Sequence, residues 1–122
     1  MKFMLIIHMN PDTWAGLDTE TQEKVMNGHD AFQAKIRATG EMEGTWALAD
    51  PGASAVVSQR GGKRTVTDGP YLEAKEFLAG YYVIEADSRD RALEIAAMMP
   101  EVEFGGLGIE VREILHYAGP TA

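Results

Sequence analysis

This sequence predicts an α+β fold of the ferredoxin-like kind, a split pair of β-α-β units with an inserted β-hairpin. Apolar stripes at helical spacing occur in two separate stretches, each flanked by β-rich runs. A short glycine-containing connection, Arg60-Gly61-Gly62, joins two further β-rich runs in the middle of the chain. The opening strand and the strand around Tyr81 to Ile84 are apolar on both faces, as strands inside a covered sheet are.

Taken in order, Lys2 to Met9 reads as a strand, with Phe3, Leu5, Ile7 and Met9 on one face and Met4, Ile6 and His8 on the other. Asn10-Pro11-Asp12 ends it, and a loop carrying Trp14 and Gly16 leads to a helix starting near Asp18 or Thr19. Val25, His29, Phe32 and Ile36 fall on one stripe of that helix, so His29 points inward, and Gly40 suits the position after the helix end. Met42 to Ala49 is a second strand, closed by Asp50-Pro51-Gly52. Ala55 to Gln59 and Lys63 to Thr67 form the hairpin, and a single helical turn or an irregular loop covers Tyr71 to Phe77. Gly80 to Ala86 is the strongest strand, rich in aromatic and β-branched residues. Asp87 or Ser88 caps a second helix whose Ala92, Ile95, Ala96 and Met99 face inward, and Pro100 marks its end. Gly105 to Gly108 opens into a last strand, Ile109 to His116. The domain occupies residues 1–117, with 118–122 as a C-terminal tail.

One domain is what 122 residues can hold, and 45% apolar with 25% charged residues is ordinary for a globular protein. The longest apolar run, Phe3 to Ile7, is far too short to cross a membrane and has no basic leader before it, which places the chain in the cytosol as an expectation. Having no cysteine removes disulfides, thiolate metal sites and cysteine nucleophiles together. Eleven Lys and Arg against nineteen Asp and Glu give a formal charge of −8, a field that repels polyanions and argues against a nucleic-acid partner.

Two helices cover one face of a four-stranded sheet, and a bare apolar second face would exceed the patch a soluble monomer tolerates. The simplest cover is the same face of a second copy, a homodimer whose two sheets close into a dimeric α+β barrel.

The segment Thr65 to Tyr71 is the most constrained in the chain. The strand stops at Asp68-Gly69-Pro70, where Gly takes positive φ and Pro donates no hydrogen bond, so the Asp68 carboxylate is held at a strand end. It serves there either as a functional acid or as an Asx-turn ligand of its own backbone.

Val66-Thr67-Asp68-Gly69-Pro70-Tyr71, Glu73-Ala74-Lys75-Glu76, Gly80-Tyr81-Tyr82-Val83-Ile84 and Ile109-Glu110-Val111-Arg112, in that order, resemble the DGPF subgroup of the YCII-related proteins over Met1 to Tyr117. The resemblance implies a ferredoxin-like homodimer of the dimeric α+β barrel kind. Some relatives in the wider family look like small-molecule enzymes, a dehydrochlorinase of hydroxylated aromatics among them, and some DGPF domains accompany alternative sigma factors. It also implies a histidine on the first helix with an acidic partner, which map to His29 and Asp68; this chain departs from the pattern in carrying Tyr71 after Asp-Gly-Pro and His8-Met9-Asn10-Pro11 at the end of the first strand.

His29 and Asp68 are therefore the candidate catalytic pair, the carboxylate orienting the imidazole for acid/base work. The plainer reading of His29 is a buried histidine with a structural hydrogen bond. His8, Trp46 and Tyr71 are candidate substrate contacts, the aromatics walling a pocket for a flat ligand. Lys75 offers a cation but sits in a solvated charged run, and Gly105, Gly106 and Gly108 form no phosphate loop. No ligand spacing points to a metal, and no cofactor is implied. The sequence leaves two functions open: a cofactor-independent enzyme acting on a small cyclic or aromatic molecule, of a lyase or hydrolase-like type, or a non-catalytic dimeric ligand-binding or regulatory module.

Overall fold

The computed structural model describes residues 1–71 and 75–120. The main sheet is antiparallel, with β1 (Lys2–Met9) at its centre between β5 (Phe77–Glu85) and β6 (Ile109–Glu113), and β2 (Met42–Ala47) on the far edge of β5. That order, β2-β5-β1-β6, is the ferredoxin-like topology that the split β-α-β pattern predicts. The helical turn or irregular loop predicted over Tyr71 to Phe77 falls in part on residues 72–74, which lie outside the described residues, as does the end of the tail at 121–122.

Helix α2 (Thr19–Ala38) begins where its capping chemistry says it should: the Asp18 carboxylate accepts from the Thr21 amide. It ends at Gly40, whose φ of +76° lets the Gly40 and Glu41 amides return to the Arg37 and Ile36 carbonyls. Val25, Phe32 and Ile36 of its inward stripe are buried. Helix α3 (Arg89–Ala97) is capped by Ser88, and Ala92, Ile95, Ala96 and Met99 close the core over Phe3, Leu5, Tyr82 and Ile84. The bidentate Arg91–Glu41 pair, at 2.9 and 2.8 Å, ties α3 to the start of β2.

Two short helices depart from the expectation. The loop after β1 contains α1 (Pro11–Ala15), with Asn10 as its cap and Pro11 in its first turn. Pro100 ends nothing: it opens α4 (Pro100–Glu103), because a proline at the first helical position loses no hydrogen bond the helix would have made.

The inserted hairpin, β3 (Ala55–Arg60) and β4 (Lys63–Asp68), forms a separate two-stranded sheet. Gly61 and Gly62, at φ +56° and +79°, make its two-residue turn. Among the described residues, no helix is long and apolar enough to cross a membrane.

Candidate functional site

Helix α2, strand β5 and the short α4 converge on one polar cluster in an otherwise apolar interior. His29 projects from α2 with its side chain about one-fifth exposed, at 21%. Its Nδ1 lies 2.8 Å from the Tyr82 hydroxyl, and its Nε2 lies 2.6 Å from Oε2 of Glu101. The Tyr82 oxygen also accepts from Nε2 of Gln33, one helical turn beyond His29, at 3.1 Å. With Gln33 donating into it, the Tyr82 hydroxyl has its own proton to give to His29 Nδ1, which leaves the ring proton on Nε2, directed at Glu101. The His29 and Tyr82 rings are nearly parallel, at 9°.

Local sequence explains the convergence. Tyr82 stands on the helix-facing side of β5, in register with Leu5 on one neighbour and Thr45 on the other. Gly28 precedes His29 on α2, and a Cβ there would lie 2.8 Å from Pro100 Cγ; the bare backbone lets α4 close against α2 and sets Glu101 beside the imidazole. Glu101 is only 5% exposed, and its second oxygen, Oε1, is buried with no hydrogen-bond partner among the described residues. Burial raises the Tyr82 phenol above its ordinary value, with the Gln33 amide working in the opposite direction, so the hydroxyl keeps its proton.

His29, Gln33 and Tyr82 of this cluster border a cavity of about 270 Å³ between α2 and the sheet, lined also by Ile7, Met26, Thr45 and Ala47. The lining is mostly apolar, and among the described residues none of it is a carboxylate, lysine or arginine. Among the described residues, no group of three or more His, Cys, Asp or Glu is placed to hold a metal ion.

The five residues singled out from the sequence separate into different places. His29 and Trp46 border this cavity, although the indole of Trp46 turns to the other face of the sheet, over Gly44 and against Tyr81. Asp68 is not the partner of His29 within the chain: it ends β4 on the separate hairpin, and both imidazole nitrogens are taken by Tyr82 and Glu101. Among the described residues its carboxylate makes no turn bond either; Gly69 donates instead to the Ser54 carbonyl at 2.7 Å. Tyr71 is 84% exposed and borders a broad hollow at the hairpin base with Leu48, Pro70 and Phe77. His8 lies on the opposite face of the sheet, 2.7 Å from Glu110.

Sequence reasoning missed Glu101 because a residue that follows a proline and a helix end reads as loop. The signal that could have found it is Pro100 followed by Glu101 and Glu103, acids in a helical first turn.

Among solved structures, the fold is similar to 5-chloro-2-hydroxyhydroquinone dehydrochlorinase from Burkholderia phenoliruptrix AC1100, in complex with 2,5-dihydroxybenzoquinone. The TM-score is 0.56 and the identity 14%, over 96% of each chain, a likeness of fold. An uncharacterized protein of Rhizobium meliloti (strain 1021) is 28% identical over 117 residues, which cover 96% of this chain and 94% of that protein. The YCII-related domain matches residues 1–117, nearly the whole sequence, and the chain accordingly belongs to the YCII-related family.

Proposed function

We propose that the chain is a cofactor-independent enzyme that moves a proton on a small, uncharged, single-ring organic molecule held between α2 and the sheet. The observation that carries this reading is the His29–Tyr82 pair on the wall of an apolar cavity, with Glu101 bonded to His29 from behind. A cavity of about 270 Å³ suits one substituted ring, and the absence of a full charge in its lining suits a neutral ligand. The fold neighbour's dihydroxybenzoquinone is a single substituted ring, which supports the ring size by analogy.

In the proposed step, a ring hydroxyl of the substrate gives its proton to the Tyr82 oxygen as the Tyr82 proton passes to His29 Nδ1. The imidazolium so formed keeps its Nε2 proton and is stabilised by the Glu101 carboxylate. Returning the same proton to a ring carbon completes a tautomerisation with no external reagent. Gln33 holds the Tyr82 oxygen in place throughout.

A second copy of the chain belongs to this proposal. Val57 and Val66 are cross-strand partners on the hairpin and are 65% and 59% exposed. An isolated two-stranded hairpin is marginal in water, so an arm of this kind calls for a surface to pack on, and the same chain supplies one in Trp46 and Leu48, each about half exposed.

The test is turnover of a panel of mono-, di- and trihydroxylated benzenes and quinones, with and without chlorine, followed by absorbance. Wild type should convert at least one member, His29→Ala should lose at least about 100-fold, and Asp68→Ala should retain activity within a few-fold. A binding constant for such rings, unaccompanied by any turnover, would favour the non-catalytic ligand-binding module instead.

A further inference from the structure

Across the sheet from His29, a second cavity of about 390 Å³ is built at the end of β1. His8, Trp14, Glu76, Leu107, Ile109 and Glu110 contribute to its lining, brought together from β1, α1, the approach to β5, the loop after α4 and β6. Phe3, Leu5 and Ile7 of β1 pack toward the helices, so strand alternation turns His8 to the opposite face. The β1–β5 register slips between Ile7 and His8, leaving Ala79 without a counterpart, a bulge of the sort that re-aims side chains beside binding sites.

The carboxylates of this cavity are Glu76 and Glu110. Glu110 lies opposite Ile6 on β6 and receives His8 Nε2 at 2.7 Å, while Arg112 engages its other oxygen. The hydrogen bond from His8, first, and the Arg112 guanidinium hold Glu110 below the usual carboxylate range. With its Nε2–H donated to Glu110, His8 presents Nδ1 as an acceptor. Glu76 adds a second carboxylate, which has no cationic partner among the described residues. Among the described lining residues there is no lysine or arginine, and His8, the one imidazole, already gives its Nε2–H to Glu110, so the full charges facing a ligand are negative. The half-buried Trp14 with Leu107 and Ile109 forms the apolar part of the wall.

We propose that this cavity is a second ligand site, which takes a primary ammonium on a small apolar body. The ammonium presents three N–H donors to the acceptors His8 Nδ1, Glu76 and Glu110, and the body lies against Trp14 and Leu107. The formal charge of −8 favours the approach of such a cation at low ionic strength.

The experiment is calorimetric titration of the full chain with 2-phenylethylamine and, as a neutral match of the same size, 2-phenylethanol. The amine should bind and the alcohol should not at matched concentration. Glu76→Gln and Trp14→Ala should each weaken the amine at least about 10-fold, whereas His29→Ala on the other side of the sheet should leave it unchanged. Glu76 is exposed, so its substitution spares the fold, which an unchanged amide spectrum verifies. Equal binding of the alcohol, loss in His29→Ala with retention in Glu76→Gln, or no amine binding at millimolar concentration would each overturn the assignment. The result is independent of the turnover assay on the His29 cavity, since either site can fail alone.

Discussion

Nε2 of His29 and Oε2 of Glu101 lie 2.6 Å apart, although 72 positions separate them in the chain. The contact joins a helix face to a carboxylate whose remaining oxygen is buried with no hydrogen-bond partner among the described residues, so the ring proton is held on Nε2 and Nδ1 is left to receive. Glu101→Gln keeps the shape and removes the charge that an imidazolium would need. Turnover is expected to fall by about 100-fold or more, with the fold retained. Long-range proton–nitrogen spectra of His29 provide the second readout: wild type should show a protonated Nε2 and an unprotonated Nδ1, and the variant a mixture of tautomers.

Tyr82→Phe isolates the hydroxyl from the ring. The ring packs edge-on against Phe32 at 5.1 Å and keeps that contact in the variant, while His29 Nδ1 loses its donor and Gln33 its acceptor. Leaving two part-buried polar groups unpaired should cost about 1–3 kcal/mol in chemical denaturation. Turnover should fall with kcat more than with KM, because the hydroxyl is asked to act in the transition state rather than to hold the ground state.

Most of the fold was legible in the sequence because it is written in periodicities that local chemistry enforces. Asp18 and Ser88 cap the helices they were read to precede, the buried stripe of α2 follows its spacing, and Gly61-Gly62 turns the hairpin. The candidate site was half legible. His29 shares a helical stripe with Val25, Phe32 and Ile36, so its inward direction could be read. Its partners could not, because a strand tyrosine among apolar residues and a glutamate after a proline carry no local mark of where the backbone will bring them. Asp68 was conspicuous for the opposite reason: Asp-Gly-Pro is a strong backbone signal, and it fixes a strand end without saying what that end faces.

Gly28 tests the link between backbone and chemistry. Alanine is the better helix former by about 1 kcal/mol, yet its methyl would stand 2.8 Å from a ring carbon of Pro100, which the proline cannot swing away. Gly28→Ala should therefore lose about 1–3 kcal/mol through overpacking and push α4 outward. The prediction is specific: the Nε2-protonated tautomer of His29 should be lost along with the stability, since both depend on how closely Pro100 approaches.

Acid should weaken the fold through Glu41. Arg91 draws its carboxyl below the ordinary 4.5, with Thr39 helping and burial opposing. A depressed folded value means that the stabilisation is fully present above about pH 4.5 and fades as pH falls through the folded value. Glu41→Gln should cost about 1–2 kcal/mol at neutral pH and progressively less below that range, as wild type itself loses the pair. Urea midpoints collected across this pH range should show the two curves converging on the acid side; parallel curves would exclude Glu41 as the group responsible.

The hairpin gives the sharpest test of assembly. Its strands have each other and little else within the chain, and Val57 and Val66 stand paired on one face with more than half of each exposed. In a lone molecule these largely exposed valines contribute little beyond their own cross-strand pair, so Val57→Ser with Val66→Ser should shift the thermal transition of a monomer only slightly. In the proposed dimer each buried valine is worth about 1.5 kcal/mol or more, and four are removed at once across a symmetric contact. Sedimentation equilibrium should then show wild type at twice the chain mass and the double variant dissociating at concentrations at least about 100-fold higher. A wild-type monomer at every concentration would remove the second copy from the proposal and leave the His29 cavity, which is built within one chain, standing by itself.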